Sequence, residues 1–178
     1  GGLLEHILTS NEKWIHFDNP QRKRQWLGPE DVAVSTPKQK AHGKKVMLCV
    51  WWNSKGIVPF ELLPPNQPVT ADLYVQQLNR VNCALKKLGI KSETIHYIHD
   101  HARPHVAKEV LKTIDKLDWN LLPHAPYSPD MAPSDYYLFR SMQHSLLGNF
   151  FKNQADIEKW LRNFFRLHDT DYYHKGIF

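Results

Sequence analysis

Cysteine is scarce in this chain. Cys49 and Cys83 are the only two among 178 residues, far apart and in no Cys-x-x-Cys pair. That argues against a zinc ribbon and against a disulfide framework, and it fits a reducing, intracellular compartment. No apolar run approaches the ~20 residues of a membrane span. The opening Gly1-Gly2-Leu3-Leu4-Glu5-His6 lacks the charged and apolar regions of a signal peptide. A soluble chain with no export signal and no membrane partner is therefore expected. Internal repeats and low-complexity tracts are also lacking. What is present is 42% hydrophobic and 12% aromatic content, enough for a substantial core within one domain. Lys and Arg number 23 against 18 Asp and Glu, a net charge of +5. This modest excess favours an anionic partner such as nucleic acid without establishing one.

Glu12 to Phe17 reads as a strand stopped by Asp18-Asn19-Pro20. From residue 18 to 45 the chain is polar and basic. Arg22, Lys23, Arg24, Lys38, Lys40, Lys44 and Lys45 face only Asp18, Glu30 and Asp31, a surplus of four cations (7 − 3). Lys45 to Trp52 is apolar on both alternating faces, as in a central strand covered on both sides. Asn53-Ser54-Lys55-Gly56 turns into Ile57 to Leu63, where Pro59 marks an edge or a bulge. Thr70 is a plausible cap for a helix with the stripe Tyr74, Leu78, Val81, Leu85 and Leu88, ended by Gly89. A strand from Thr94 to His99 runs into Asp100. A helix then starts near Pro104, with Val106, Val110, Leu111, Ile114 and Leu117 inward. Trp119 to Leu122 reads as another strand. Two helices follow, roughly 134–147 and 154–167. Antiparallel strands, then strand–helix–strand, then helices point to an α/β domain with a mixed five-stranded sheet and helices on both faces.

Two segments carry the chemistry-bearing residues. In His99-Asp100-His101-Ala102-Arg103-Pro104-His105 a carboxylate leaves a buried strand among imidazoles and a guanidinium, at the end of the sheet where ligands tend to sit. Asp100 could equally cap the next helix. A zinc site from His99, His101 and His105 is a further alternative that no cysteine cluster supports. In Pro123 to Tyr137, four prolines stiffen the loop and Ser134 can cap the next helix. Asp135 is then placed in its first turn, where the helix dipole alone would account for an acid. Acids on neighbouring elements suit Mg2+ or Mn2+, hard cations that prefer oxygen ligands. Phosphodiester chemistry often uses two such ions. A basic loop would neutralise substrate phosphates.

Asn11 to Ile15, Val46 to Trp52, His99 to His105 and His124 to Phe139 resemble, in order, the catalytic domain of mariner-type DNA transposases. Family sequences carry Asp-Glu-Lys-Trp, then His-Asp-Asn-Ala-Arg-Pro-His, then Tyr-Ser-Pro-Asp-Leu-Ala-Pro-Ser-Asp-Tyr, with 34 residues between the second and third catalytic aspartates. Here 34 residues separate Asp100 from Asp135. The likeness covers nearly the whole chain, residues 1–178, as one catalytic domain.

The resemblance implies an RNase H-like fold and a two-metal Mg2+ or Mn2+ site. It implies DNA cleavage and strand transfer at transposon ends, with transposon-end and target DNA as partners. It further implies a homodimer bridged by the extended loop at 18–45, and action in the nucleus. The helix-turn-helix region that recognises the terminal repeats has no counterpart in the sequence. The catalytic and metal positions are Asp100, Asp135 and Asn11, the last standing where the family has its first catalytic aspartate. DNA contacts are expected from Arg22, Lys23, Arg24, Lys38, Lys40, Lys44, Lys45, Arg103 and His105. An amide oxygen can ligate a metal but brings no charge, so a three-carboxylate site loses about a third of its negative charge. Glu12 is a poor replacement, since adjacent strand residues face opposite sides of the sheet. His101 replaces the family's asparagine beside Asp100. Impaired activity is therefore expected. The alternatives are a catalytically silent, transposase-derived DNA-binding protein, or an RNase H-like nuclease without a role in transposition.

Overall fold

Five strands form one mixed sheet in the order β3-β2-β1-β4-β5, seen in a computed structural model that describes residues 2–35, 37–40, 42–123 and 133–177, with Asp135 described by its main chain alone. β1 (Ile7–His16) starts five residues earlier than the sequence pattern suggests. Its first half is buried on both faces and so shows no alternation to read. β1 pairs antiparallel with β2 (Lys45–Asn53) in an unbroken register from Thr9↔Trp52 to His16↔Lys45. On its other side it pairs parallel with β4 (His96–Ile98), ending at Thr9↔Ile98. β3 (Gly56–Leu62) is the edge strand, and its register with β2 shifts between Val50 and Trp52. Pro59 lies in that irregular stretch of an edge, where its missing N–H costs no ladder bond. Gly56 turns the hairpin at φ +143°, a conformation that side-chain-bearing residues rarely adopt. β5 (Asn120–Leu121) extends the parallel side.

Two apolar layers sandwich the sheet. On one face Leu8, Cys49, Trp51 and Tyr97 pack against Tyr74, Leu78, Val81 and Leu85 of α1 (Ala71–Lys87) and against Val110 and Ile114 of α2 (Lys108–Lys116). The Thr70 hydroxyl caps α1 by accepting from the Leu73 N–H at 3.3 Å. Leu88 is exposed because it falls at the C-cap, past the inward stripe. α2 begins only after Ala107, so its nine residues present one short stripe. Val106 and Leu111, expected inside, are about 40% exposed (41% and 40%).

On the other face Ile7, Ile15, Val46, Leu48, Val50 and Trp52 meet three more helices. These are α3 (Arg140–Leu146), α4 (Gln154–Leu167) and α5 (Thr170–Ile177). The expected helix at 134–147 is divided: Ser134–Phe139 is a π-helical turn that runs into α3. Ser134 is not its cap, for the turn follows Pro133 and the buried Ser134 hydroxyl accepts from Trp52 Nε1–H at 2.9 Å. α5 has no counterpart in the sequence reading. Its Tyr173, Gly176 and Ile177 close the core under the sheet.

Candidate metal centre beside the first and fourth strands

Asp100 leaves the sheet just beyond β4, and its position is held by two hydrogen bonds to one oxygen. Oδ1 accepts from the Ala102 N–H at 3.0 Å and from His105 Nδ1 at 2.5 Å. The opposite ring nitrogen of His105, Nε2, bonds Glu12 Oε1 at 2.9 Å. Burial opposes a charge on His105, but its hydrogen bonds to Asp100 and Glu12 and the two negative charges outweigh it, raising the pKa to about 10. The ring is then an imidazolium at neutral pH, donating from both nitrogens. Burial would raise the Asp100 pKa, yet the His105 hydrogen bond and charge, with the Ala102 N–H, bring it below its ordinary value. A carboxylate–imidazolium–carboxylate bridge thus joins β1 to the loop after β4.

A buried polar network lies beneath that bridge. Ser10 Oγ and Tyr97 OH are 2.6 Å apart, Tyr97 OH and Tyr74 OH 2.5 Å, and Tyr74 OH lies 3.2 Å from His99 Nδ1. Trp51 Nε1–H donates to Tyr97 OH at 3.2 Å. The rings of Tyr74 and His99 lie 4.3 and 5.3 Å from that of His105. Burial first, then the neighbouring phenol and carboxylate, push the Tyr74 hydroxyl up, so it stays neutral.

Alternation along β1 separates Asn11 from this network. Glu12 shares parity with Leu8 and faces α1 and α2, whereas Asn11 shares parity with Ile7 and Ile15 and faces the other layer. Asn11 is buried at 6% exposure, with Oδ1 accepting from the Glu12 N–H at 2.8 Å. Asn11 and Asp100 each lie two residues past the last paired position, Thr9↔Ile98, on neighbouring parallel strands. The π-helical turn whose main chain includes Asp135 packs against β1. The Asp135 side chain and residues 124–132, with Asp130 and the rest of the proline-rich loop, lie outside the described residues.

The role of Glu12 is not visible in the sequence. Alternation does turn it away from position 11. The long side chain nonetheless reaches Asp100 through His105. Among the described residues the ligand atoms of Glu12, Asp100 and His105 all come within 4.8 Å of one another. His105 must surrender a proton before it could ligate, so the donors of this cluster that suit a hard cation are the carboxylate oxygens of Asp100, a third exposed (34%), and of Glu12, 12% exposed. The three-histidine zinc alternative does not form as a cluster, since His99 points to Tyr74 while His101 is exposed. His105 also needs correction as a DNA contact. At 1% exposure and bonded on both nitrogens, it has nothing to offer a phosphate.

Arg22, Lys23, Arg24, Lys38, Lys40 and Arg103 are exposed. Lys44 and Lys45 sit 4.6 and 4.3 Å over the rings of Phe17 and Trp14. The loop is pinned at Gln25, whose amide donates to Val34 O at 3.0 Å and accepts from Val34 N at 2.9 Å. It also carries an apolar component that charge counting overlooks: Trp26 is fully exposed at 100%, with Val32 and Val34 nearly so.

Residues 16–94 match the family model described as Transposase (partial DDE domain), a stretch that holds the basic loop but none of Asn11, Asp100 and Asp135. The chain is 41% identical over 179 residues to the Mariner Mos1 transposase of Drosophila mauritiana, covering 98% of this chain and 52% of that protein. It is 37% identical over 178 residues to the human histone-lysine N-methyltransferase SETMAR, covering 98% of this chain and 26% of that one. It thus spans about half the length of the first relative and a quarter of the second. The Mos1 mariner paired end complex with Mn superposes at a TM-score of 0.93 with 43% identity, over 98% of this chain and 52% of that one. The crystal structure of the Mos1 catalytic domain superposes at 0.80 with 38% identity, over 98% and 76%. The five-stranded mixed sheet is thereby the RNase H-like sheet of that domain, and the chain belongs to the mariner-type DNA transposase family, matching its catalytic domain.

Proposed function

We propose that this chain is a catalytic core for metal-dependent cleavage and strand transfer of DNA at transposon ends, weakened because Asn11 stands at the first acidic position. One observation carries the reading: Asn11 in mid-β1 and Asp100 just beyond β4 each lie two residues past the last paired position of these neighbouring parallel strands, and the turn that includes Asp135 packs against β1. Asp100, Asp135 and the Asn11 amide oxygen would hold Mg2+ or Mn2+, the ions named in the Mos1 paired end complexes. Bound there, a pair of such ions activates the attacking water or hydroxyl and stabilises the leaving oxygen. Both hydrogen bonds to Asp100 fall on Oδ1, so ligation through Oδ2 would leave them intact. Asn11 supplies an oxygen without a charge, which lowers cation affinity.

The exposed cations of the 18–45 loop and Arg103 would take up phosphates of the DNA, as suggested by a Mos1 complex that contains a left transposon end. Trp26, Val32 and Val34 give that loop an apolar surface suited to a second copy of the chain, in keeping with a homodimer acting in the nucleus. Calorimetry with Mn2+ tests the site. Asp100→Ala and Asp135→Ala are each expected to abolish binding, and retained affinity in either would remove that residue from the centre.

A further inference from the structure

We propose that Glu12 and His105 form a positioning relay that holds the Asp100 carboxylate in place for cation binding. The inference deepens the metal-site reading above and rests on it. β4 has only three residues, and α2 starts at Lys108, so Asp100 belongs to an irregular segment whose main chain orients its side chain through one bond, from the Ala102 N–H. A carboxylate left to rotate there must be ordered each time a cation binds, at a cost in rotamer entropy. In this structure the ordering is done in advance. His105 Nδ1 meets Asp100 Oδ1 at 2.5 Å, and the ring has no freedom to turn, being 1% exposed and flanked by Tyr74 and His99. Its far nitrogen is tied at 2.9 Å to Glu12, which sits in the continuous β1–β2 ladder opposite Cys49. A rigid strand thereby sets the position of a loop carboxylate 88 residues away in sequence (100 − 12). The relay also accounts for an acid facing the interior beside Asn11, since a carboxylate only 12% exposed needs a charged partner.

The two ring nitrogens can be separated by substitution. In His105→Asn the amide nitrogen replaces Nδ1 and still donates to Asp100. In His105→Gln it replaces Nε2 and reaches only Glu12. Manganese affinity is measured by calorimetry in the Asn11→Asp version of the chain. The Ala102 amide resonance is followed in the metal-free protein, because that N–H donates to the same Asp100 oxygen. The relay is expected to make His105→Gln and Glu12→Ala weaken Mn2+ binding by about 10- to 100-fold, as the loss of an outer-sphere partner does, and to shift the Ala102 resonance. Glu12→Gln should stay within about threefold of the parent and leave that resonance in place, while His105→Asn, which keeps the bond to Asp100 but loses the tie to Glu12 as Glu12→Ala does, should weaken binding no more than Glu12→Ala and less than His105→Gln. Equal behaviour of His105→Asn and His105→Gln in both measurements would overturn the relay and reduce His105 to a packing residue. Asp100→Ala serves as the separate control: unchanged Mn2+ affinity there would refute the metal reading itself, while the Ala102 resonance would still report whether His105 holds Asp100.

Discussion

Replacing Asn11 by aspartate changes a charge and little else. The two side chains are nearly isosteric, and Asn11 sits at 6% exposure with its Oδ1 on the Glu12 N–H, a bond a carboxylate oxygen can also accept. In metal-free protein the new carboxylate is a buried charge two residues past the paired end of β1 and β4, as Asp100 is. An uncompensated buried charge costs roughly 3–5 kcal/mol, relieved in part by proton uptake. A net loss of about 3 kcal/mol corresponds to a Tm lower by about 6–12 °C for a chain of this size. Burial and the neighbouring carboxylate raise the pKa of the introduced acid in the folded state. The penalty is therefore absent at acidic pH and grows as pH climbs from the ordinary aspartate value of ~3.9 through the raised one. Mn2+ at a hundred times its Kd returns about 2.7 kcal/mol to a protein that binds it, which nearly closes the gap. Scanning calorimetry of both versions, in chelator and in Mn2+ from pH 4 to 8, reads all of this. Nicking of transposon-end DNA should rise in Asn11→Asp by more than the roughly 10–100-fold effect of an outer-sphere partner. Two versions with the same Tm in chelator and the same response to Mn2+ would refute the placement of residue 11 in the metal centre. Cleavage that stays absent in Asn11→Asp would favour a silent DNA-binding protein.

Three further outcomes are expected. Neutralising Arg22, Lys23 and Arg24 together should reduce the slope of log affinity against log salt for DNA by about 2–3, near 0.9 for each phosphate that no longer meets a cation; an unchanged slope would place the DNA on another surface. Gly176→Ala should destabilise by about 1–3 kcal/mol in urea unfolding, because an added Cβ would lie 2.6 Å from Tyr137 Cδ1 and 2.9 Å from Trp52 Cη2; a neutral result would mean that α5 can slide on the sheet at no cost. Tyr97→Phe removes the hydroxyl that accepts from Trp51 Nε1–H and meets both Ser10 and Tyr74, for a loss of about 1–3 kcal/mol in urea unfolding with DNA affinity unaltered.

Much of the fold was legible because it depends on short-range pattern. The unbroken apolar run of β2 announces a strand covered on both faces, and the stripe Tyr74, Leu78, Val81 and Leu85 announces α1, with Thr70 capping it. Where pattern fails, packing decides. Residues 7–11 of β1 are all buried, so no period marks the strand's start. The π-helical turn at Ser134–Phe139 follows no periodicity in the sequence and is anchored by a hydrogen bond from Trp52, 82 residues upstream. Val106 and Leu111 are apolar but exposed, because Val106 precedes α2 and Leu111 falls beside the inward pair Val110 and Ile114.

The candidate site divides in the same way. Local order of residues was enough to single out Asp100 and Asp135 as candidates, since each lies in a distinctive segment and the 34-residue spacing between them is a property of the chain alone, whereas Asn11 is marked only by the resemblance to the family's Asp-Glu-Lys-Trp motif. The basic character of residues 18–45 likewise needs only counting. That Glu12 touches the site, and that His105 is a buried bridge rather than a surface contact, depended on the tertiary structure. Their encounter joins a strand to a loop 93 residues later. No period or spacing encodes it, because it arises only when β1 and β4 pair in parallel and α1 seals the imidazole beneath Tyr74.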